Sequence, residues 1–217
     1  MENLKRRDFI KSTAVVSGGI ALNASSISSV FAAGSDVIKV ALIGCGGRGT
    51  GAAVDALSSG QNVKLVALAD VFRDNLDASY NNLSKRYADK MDIPESRKYV
   101  GFDAYKHAIK DADVVLLVTP PGFRPQHFEE AVRQGKHIFM EKSVAVDAPG
   151  VRRVLAAAKI AEQKKLNVVV GLQRRFQQNY REGIQRVQEG AIGDIVAGQV
   201  YWNSGGVWVR PRTPGQT

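Results

Sequence analysis

The chain has 217 residues, of which 44% are hydrophobic and 24% charged, with a formal net charge of +9; this is ordinary for a soluble globular protein and gives room for one large domain, or one domain and the start of another. A single cysteine, Cys45, excludes an intramolecular disulfide, and with only His107, His127 and His137 besides it no Cys/His metal site is expected. The densest basic groups, Arg152-Arg153, Lys164-Lys165 and Arg174-Arg175, recur at the ends of helical patterns and are not interleaved with aromatics on one element, so they read as solvated faces and not as a nucleic-acid surface.

Residues 1–33 read as an export signal and are set aside from the fold. Lys5-Arg6-Arg7-Asp8-Phe9-Ile10-Lys11 resembles the twin-arginine motif, a mild apolar stretch runs from Ala14 to Leu22, and Val30-Phe31-Ala32-Ala33 suits cleavage after Ala32. The apolar run is too short and too interrupted by Ser17, Gly18 and Gly19 to span a bilayer as a mature helix. The expected location is therefore the periplasm or another exported site, with no further membrane association. That route carries folded proteins, often with cofactor already loaded.

From residue 34 the pattern alternates. Short apolar, β-branched runs at 37–43, 63–69, 98–101, 113–118, 137–140 and 167–170 read as buried strands. Between them 48–59, 73–88, 103–110, 123–134 and 147–164 read as helices, with Pro149 in the first turn of the last. Six such strands alternating with helices predict an α/β fold, a doubly wound parallel sheet covered on both faces, over residues 34–172. Past Gly171 the pattern changes: a helix at 179–189 and an alternating strand at 195–201 are expected to begin an α+β second domain, incomplete at residue 217.

Ile43-Gly44-Cys45-Gly46-Gly47-Arg48-Gly49 carries G-x-G-x-x-G directly after the first strand and at the start of a helix, and Asp70 follows Gly49 by 21 residues at the end of the next strand. In that setting Gly44 permits the tight turn, Gly46 lets backbone approach a pyrophosphate, and Gly49 lets the helix lie close on the sheet. The loop Gly44, Cys45, Gly46, Gly47, Arg48, Gly49 leads into a helix N-terminus, which offers free N–H groups and a partial positive charge to phosphates. Asp70 can accept hydrogen bonds from both ribose hydroxyls of NAD, and its charge opposes a 2′-phosphate; nearby Arg73 softens that preference, so NADP stays open. Cys45 reads as a small buried filler rather than a redox group.

Taken with this loop, Ala69-Asp70, Thr119-Pro120-Pro121 with His127, Phe139-Met140-Glu141-Lys142, Gly171-Leu172-Gln173-Arg174-Arg175-Phe176 and Gly190-Ala191-Ile192-Gly193-Asp194-Ile195 resemble, in order, the glucose–fructose oxidoreductase/inositol dehydrogenase (Gfo/Idh/MocA) family. The resemblance implies a Rossmann domain followed by a substrate and oligomerisation domain. It implies that Thr119 and Pro120 line the nicotinamide side of the cleft, that His127 shapes that wall, and that Glu141 holds the cofactor ribose or orients Lys142. Lys142 would be the catalytic residue, a cation between the substrate hydroxyl and the nicotinamide that assists proton transfer. Arg174 and Arg175 are candidates for substrate contact or for a surface pair. Trp202, with Tyr201 and Trp208, is a candidate for stacking on a sugar, for a sheet face or for an oligomer interface.

Two departures stand out. Ser143 replaces the proline that usually fixes the turn after the lysine, and the family's further aspartate and histidine, in its second domain, have no counterpart before residue 217. Family members are usually much longer, so the chain resembles a C-terminally truncated member that can bind cofactor and yet fail to turn over alone. The expected activity is that of an NAD(P)-dependent oxidoreductase on a sugar or cyclitol hydroxyl, and the full-length protein is expected to be a homo-oligomer. Export makes a redox-neutral cycle the alternative, including a glycoside hydrolase that oxidises, eliminates and reduces again on bound cofactor. A non-catalytic nucleotide-binding protein is the alternative from another class.

Overall fold

The computed structural model describes residues 37–205; the expected export signal and Trp208 lie outside the described residues. Two compact units meet at the boundary between Gly171 and Leu172. In the first, β1 (Ile38–Ile43), α1 (Gly47–Leu57), β2 (Val63–Asp70), α2 (Arg73–Tyr87), β3 (Lys98–Val100), α3 (Ala104–Asp111), β4 (Val114–Leu117), α4 (Arg124–Arg133), β5 (His137–Met140), α5 (Ala148–Gln163) and β6 (Val168–Val170) alternate along the chain. The six strands form one sheet in the order β3-β2-β1-β4-β5-β6, and every pairing is parallel. This is the doubly wound Rossmann arrangement, and each element begins and ends within two residues of where its apolar pattern does.

The pattern forms this sheet because its central strands are apolar on both faces. Along β1, Val40 and Leu42 face one layer and Ala41 and Ile43 the other. The first layer is filled by Ala52, Ala53 and Leu57 of α1 and by Leu76 and Leu83 of α2. The opposite layer takes Ala108 and Ile109 of α3, Phe128 and Ala131 of α4, and Val154 and Ala157 of α5. Each large side chain so buried contributes roughly 1.5–3 kcal/mol, and the small alanines let the helices lie close. α5 starts on an Asp147 cap whose carboxylate accepts from the Gly150 N–H at 2.7 Å, with Pro149 in its first turn.

The second unit holds a helix, α6 (Gln178–Gln188). The strand expected at 195–201 is absent: no ladder forms there. Alternation alone does not make a strand; its N–H and C=O groups need a neighbouring strand, and among the described residues none is offered. Val196 and Val200 are each 95% exposed.

The turn between β1 and α1 is set by backbone contact. Gly44 has φ +97°, and a Cβ there would sit 2.7 Å from the Thr119 nitrogen. A Cβ on Gly49 would lie 1.8 Å from the Gly44 carbonyl oxygen, whereas one on Gly46 would meet nothing within 4 Å. Gly49→Ala is therefore expected to lower stability by roughly 1–3 kcal/mol, as overpacking does, and Gly46→Ala to change it by less than about 0.5 kcal/mol. Urea unfolding of both variants checks this; equal effects would contradict the packing described.

Candidate functional site

In an open parallel sheet the crevice lies beyond the carboxyl ends of the strands, where the order reverses. Here that point falls between β1 and β4, and the chain is held in register just past every strand end. The Gly44 N–H donates to the Ala69 carbonyl at 2.8 Å, Val118 N–H to Ile43 at 2.8 Å, Glu141 N–H to Leu117 at 3.0 Å and Gly171 N–H to Met140 at 2.8 Å. Asp70, the glycine loop, Thr119 and Glu141-Lys142 thus stand in one row along the sheet edge.

The glycine loop opens α1 at Gly46, whose side has no capping group. Gly46 and Gly47 are exposed, and a Cβ on either would enter empty space, so uncapped helical N–H groups face a cradle wide enough for an anion. Asp70 is pinned beside it: Oδ2 accepts from the Cys45 N–H at 2.7 Å and Oδ1 from the Phe72 N–H at 2.9 Å. An ionised carboxylate has about four acceptor positions, so Asp70 keeps capacity for ribose hydroxyls. The Cys45 thiol is buried and donates to the Ala69 carbonyl at 3.5 Å. Burial, reinforced by the Asp70 charge, pushes its pKa up, which keeps it a protonated, unreactive filler.

Across the row, Arg48 at the start of α1 reaches the Glu141 carboxylate beyond β5. Its Nε and Nη2 donate to Oε1 at 2.8 and 2.7 Å. Glu141 is buried, so this charge-assisted pair is sheltered on the acid's side. Lys142, the next residue, is exposed; the peptide bond joining it to Ser143 is cis.

Beneath Thr119 lies a group that sequence reasoning overlooked. Arg124, in the first turn of α4, is only 2% exposed. Its guanidinium donates to the carbonyl oxygens of Thr119 and Ser143, tying the end of β4 to the turn that carries Lys142. Its Nε, also buried, has no hydrogen-bond partner among the described residues. Burial pushes its pKa down, and the Glu141 carboxylate counters this. The charge pattern alone could not separate it from the solvated arginines; the cue available was its place between Thr119-Pro120-Pro121 and Pro125.

His127 is buried in the same wall. Its Nδ1 shares a hydrogen bond with the Thr119 hydroxyl at 3.1 Å, and its ring stacks on Tyr105 at 4.1 Å between centroids. Burial, followed by repulsion from Arg124, lowers its pKa to about 4, so it is a neutral packing and hydrogen-bonding group at physiological pH. Pro120 is exposed at the rim. Of the other candidates, Arg174 bonds Gln177 at 2.9 Å and lies over the Tyr180 ring at 4.9 Å, Arg175 is exposed, and so is Trp202; all three belong to the second unit.

The depressed His127 pKa has a consequence for stability. Between pH 6.5 and about 4 the unfolded chain binds this proton and the folded chain does not, so the stabilisation is present above pH 6.5 and is lost as pH falls toward 4. At 1.36 kcal/mol per pH unit the loss is on the order of 3 kcal/mol. Urea midpoints measured from neutral pH down to about pH 4.5 should fall more steeply for the wild-type chain than for His127→Gln; parallel profiles would contradict a buried neutral imidazole.

The sequence model of the Gfo/Idh/MocA oxidoreductases, described as an oxidoreductase family with an NAD-binding Rossmann fold, matches residues 38–172. A protein named glycosyl hydrolase family 109 protein from Shewanella baltica is 25% identical over 93% of this chain and 46% of its own length. Inositol 2-dehydrogenase of Rhizobium meliloti is 29% identical over 73% of this chain and 43% of its own length. Among solved structures, scyllo-inositol dehydrogenase from Lactobacillus casei with bound NAD(H) and scyllo-inositol has 28% identity and a TM-score of 0.57, covering 73% of this chain and 43% of that one. The chain spans a little under half the length of these relatives. By its glycine loop, its sheet and this match, the chain belongs to the Gfo/Idh/MocA family of oxidoreductases, with the NAD-binding Rossmann fold of that family.

Proposed function

We propose that this chain is the cofactor-binding part of an NAD-dependent oxidoreductase that acts on a hydroxyl-bearing carbon of a sugar or cyclitol. The observation that carries the reading is the row at the switch point: an open anion cradle, a pinned Asp70 and the Glu141-Lys142 pair on adjacent strand ends. The dehydrogenase relatives support the substrate class.

Bound NAD would supply the hydride acceptor. The Gly46, Gly47 and Arg48 amides would hold its pyrophosphate at the α1 N-terminus, and Asp70 its adenosine ribose hydroxyls. Thr119, Pro120 and the neutral His127 would form the wall beside the nicotinamide. Lys142 would place its ammonium against the substrate hydroxyl, favouring the alkoxide that develops as the C–H bond breaks and so assisting transfer of the hydroxyl proton. Glu141, held by Arg48, would orient that segment and leave Lys142 without a competing carboxylate. Arg174, Arg175 and Trp202 remain candidates for substrate contact.

A second reading has its own support, since relatives named as glycosyl hydrolases align along 93% of this chain. In it the substrate carbon would be oxidised, the glycosidic bond lost by elimination, water added across the resulting double bond and the carbon reduced again, so no reduced cofactor leaves. The twin-arginine reading of residues 1–33 fits this, because an exported enzyme has no ready partner to reoxidise a released cofactor.

Lys142→Ala is expected to lower hydride transfer to or from a panel of sugars and cyclitols by about 100-fold or more, with NAD affinity altered by less than about threefold. Undiminished transfer would contradict the role of Lys142. Release of one reduced cofactor per product would contradict the redox-neutral reading, and, in the full-length protein, tight NAD binding with no transfer to any substrate would contradict the enzyme reading.

A further inference from the structure

Asp70 is not the only charged group at the ribose end of the cradle. Arg73 follows it by three residues as the first residue of α2, the position from which an arginine can accommodate a 2′-phosphate and admit NADP. The structure turns this arginine elsewhere. Its Nε donates to Asp77 one helical turn on, at 2.8 Å, and its Nη2 donates to Glu95 in the segment before β3. Glu95 is in turn held by Lys98, whose Nζ lies 2.9 Å from its second oxygen and 3.7 Å from the centre of the Tyr80 ring. Lys98 is fixed from below because it is a β3 residue paired in register with Leu68 of β2. The Arg73 guanidinium, and then Lys98, hold the Glu95 carboxyl below the usual carboxylate range.

The local ion pairing points the same way. The cations Arg73 and Lys98 are both engaged by carboxylates, those of Asp77 and Glu95. Asp70 itself cannot swing aside, since main-chain N–H groups from the glycine loop and from Phe72 hold both of its oxygens. A 2′-phosphate arriving there would meet a fixed carboxylate and an arginine already engaged. The ribose hydroxyls of NAD can donate to the remaining acceptor positions of Asp70, to whose Oδ1 the Asn75 amide also donates at 3.4 Å.

Resting on the dinucleotide reading above, we propose that Asp77 and Glu95 are specificity-determining residues: they sequester Arg73 from the ribose corner and so enforce the preference for NAD over NADP. Neither touches the cofactor; they act by position, through Arg73. Exposed ion pairs are individually weak, and the arrangement holds because two carboxylates converge on one guanidinium and a strand-anchored lysine fixes one of them.

The test is a binding cycle on the full chain, with NAD and NADP as probes read by calorimetry. Asp77→Asn with Glu95→Gln should tighten NADP by about tenfold and leave NAD within about twofold. Arg73→Ala in the wild-type background should leave NADP affinity unchanged, because the arginine is not available to it. Arg73→Ala added to the double variant should abolish the gain. Three results would overturn the proposal: no NADP gain in the double variant, a gain that survives loss of Arg73, or a wild-type NADP affinity that already depends on Arg73. Absence of binding of either dinucleotide to the wild-type chain would instead remove the functional reading beneath it, and the proposal with it.

Discussion

Between Gly44 and Gly49 the backbone runs so close to itself and to Thr119 that neither terminal glycine can carry a side chain. The rest of the site depends on this contact. It places the α1 N-terminus over the strand ends, brings the Cys45 N–H onto the Asp70 carboxylate, and sets Thr119 against the loop. The contact is affordable because β1 lies at the centre of the sheet with apolar layers on both faces; a turn this tight on a poorly packed strand would open. The site is thus built largely from main chain, oriented by the core.

Around that turn the charged groups divide by burial. Arg124 is a cation almost fully enclosed, a costly placement unless strong acceptors compensate it. Two backbone carbonyls do so, with the Glu141 charge beyond them. His127 is packed into the same wall, where burial first, and then repulsion from Arg124, keep the imidazole neutral. Arg48 adds a strut from the glycine loop to Glu141. These contacts hold the loop, the end of β4 and the Lys142 turn as one body, which is what a hydride-transfer site needs if donor and acceptor are to be presented at fixed separation.

Much of the fold was legible because strands such as 63–69 and 137–140 are continuous apolar runs and the helices between them carry apolar residues every three or four positions. Glycine spacing with Asp70 located the cradle, since those residues are required by close backbone approach and not by a packing choice that others could satisfy. Periodicity could not tell a buried arginine from a solvated one: Arg124 and Arg133 lie on the same helix, and only tertiary contact separates them. It also could not supply a partner for residues 195–201, whose alternation is strand-like but whose pairing is non-local. The Arg73–Glu95 pair was invisible for the same reason, because Glu95 is 22 residues away along the chain; nearness in sequence to Asp70 suggested that Arg73 would soften the cofactor preference, and its two ion pairs are the ground for the opposite proposal.

The central claim is that the space above Gly46 is a dinucleotide cradle. Calorimetric titration of NAD into the wild-type chain and into Gly46→Ala tests it most directly. One NAD bound per wild-type chain, with affinity lowered at least about tenfold in a variant whose unfolding is unchanged, is the predicted result. Equal NAD affinity in the two proteins, or no binding to the wild-type chain, would contradict it.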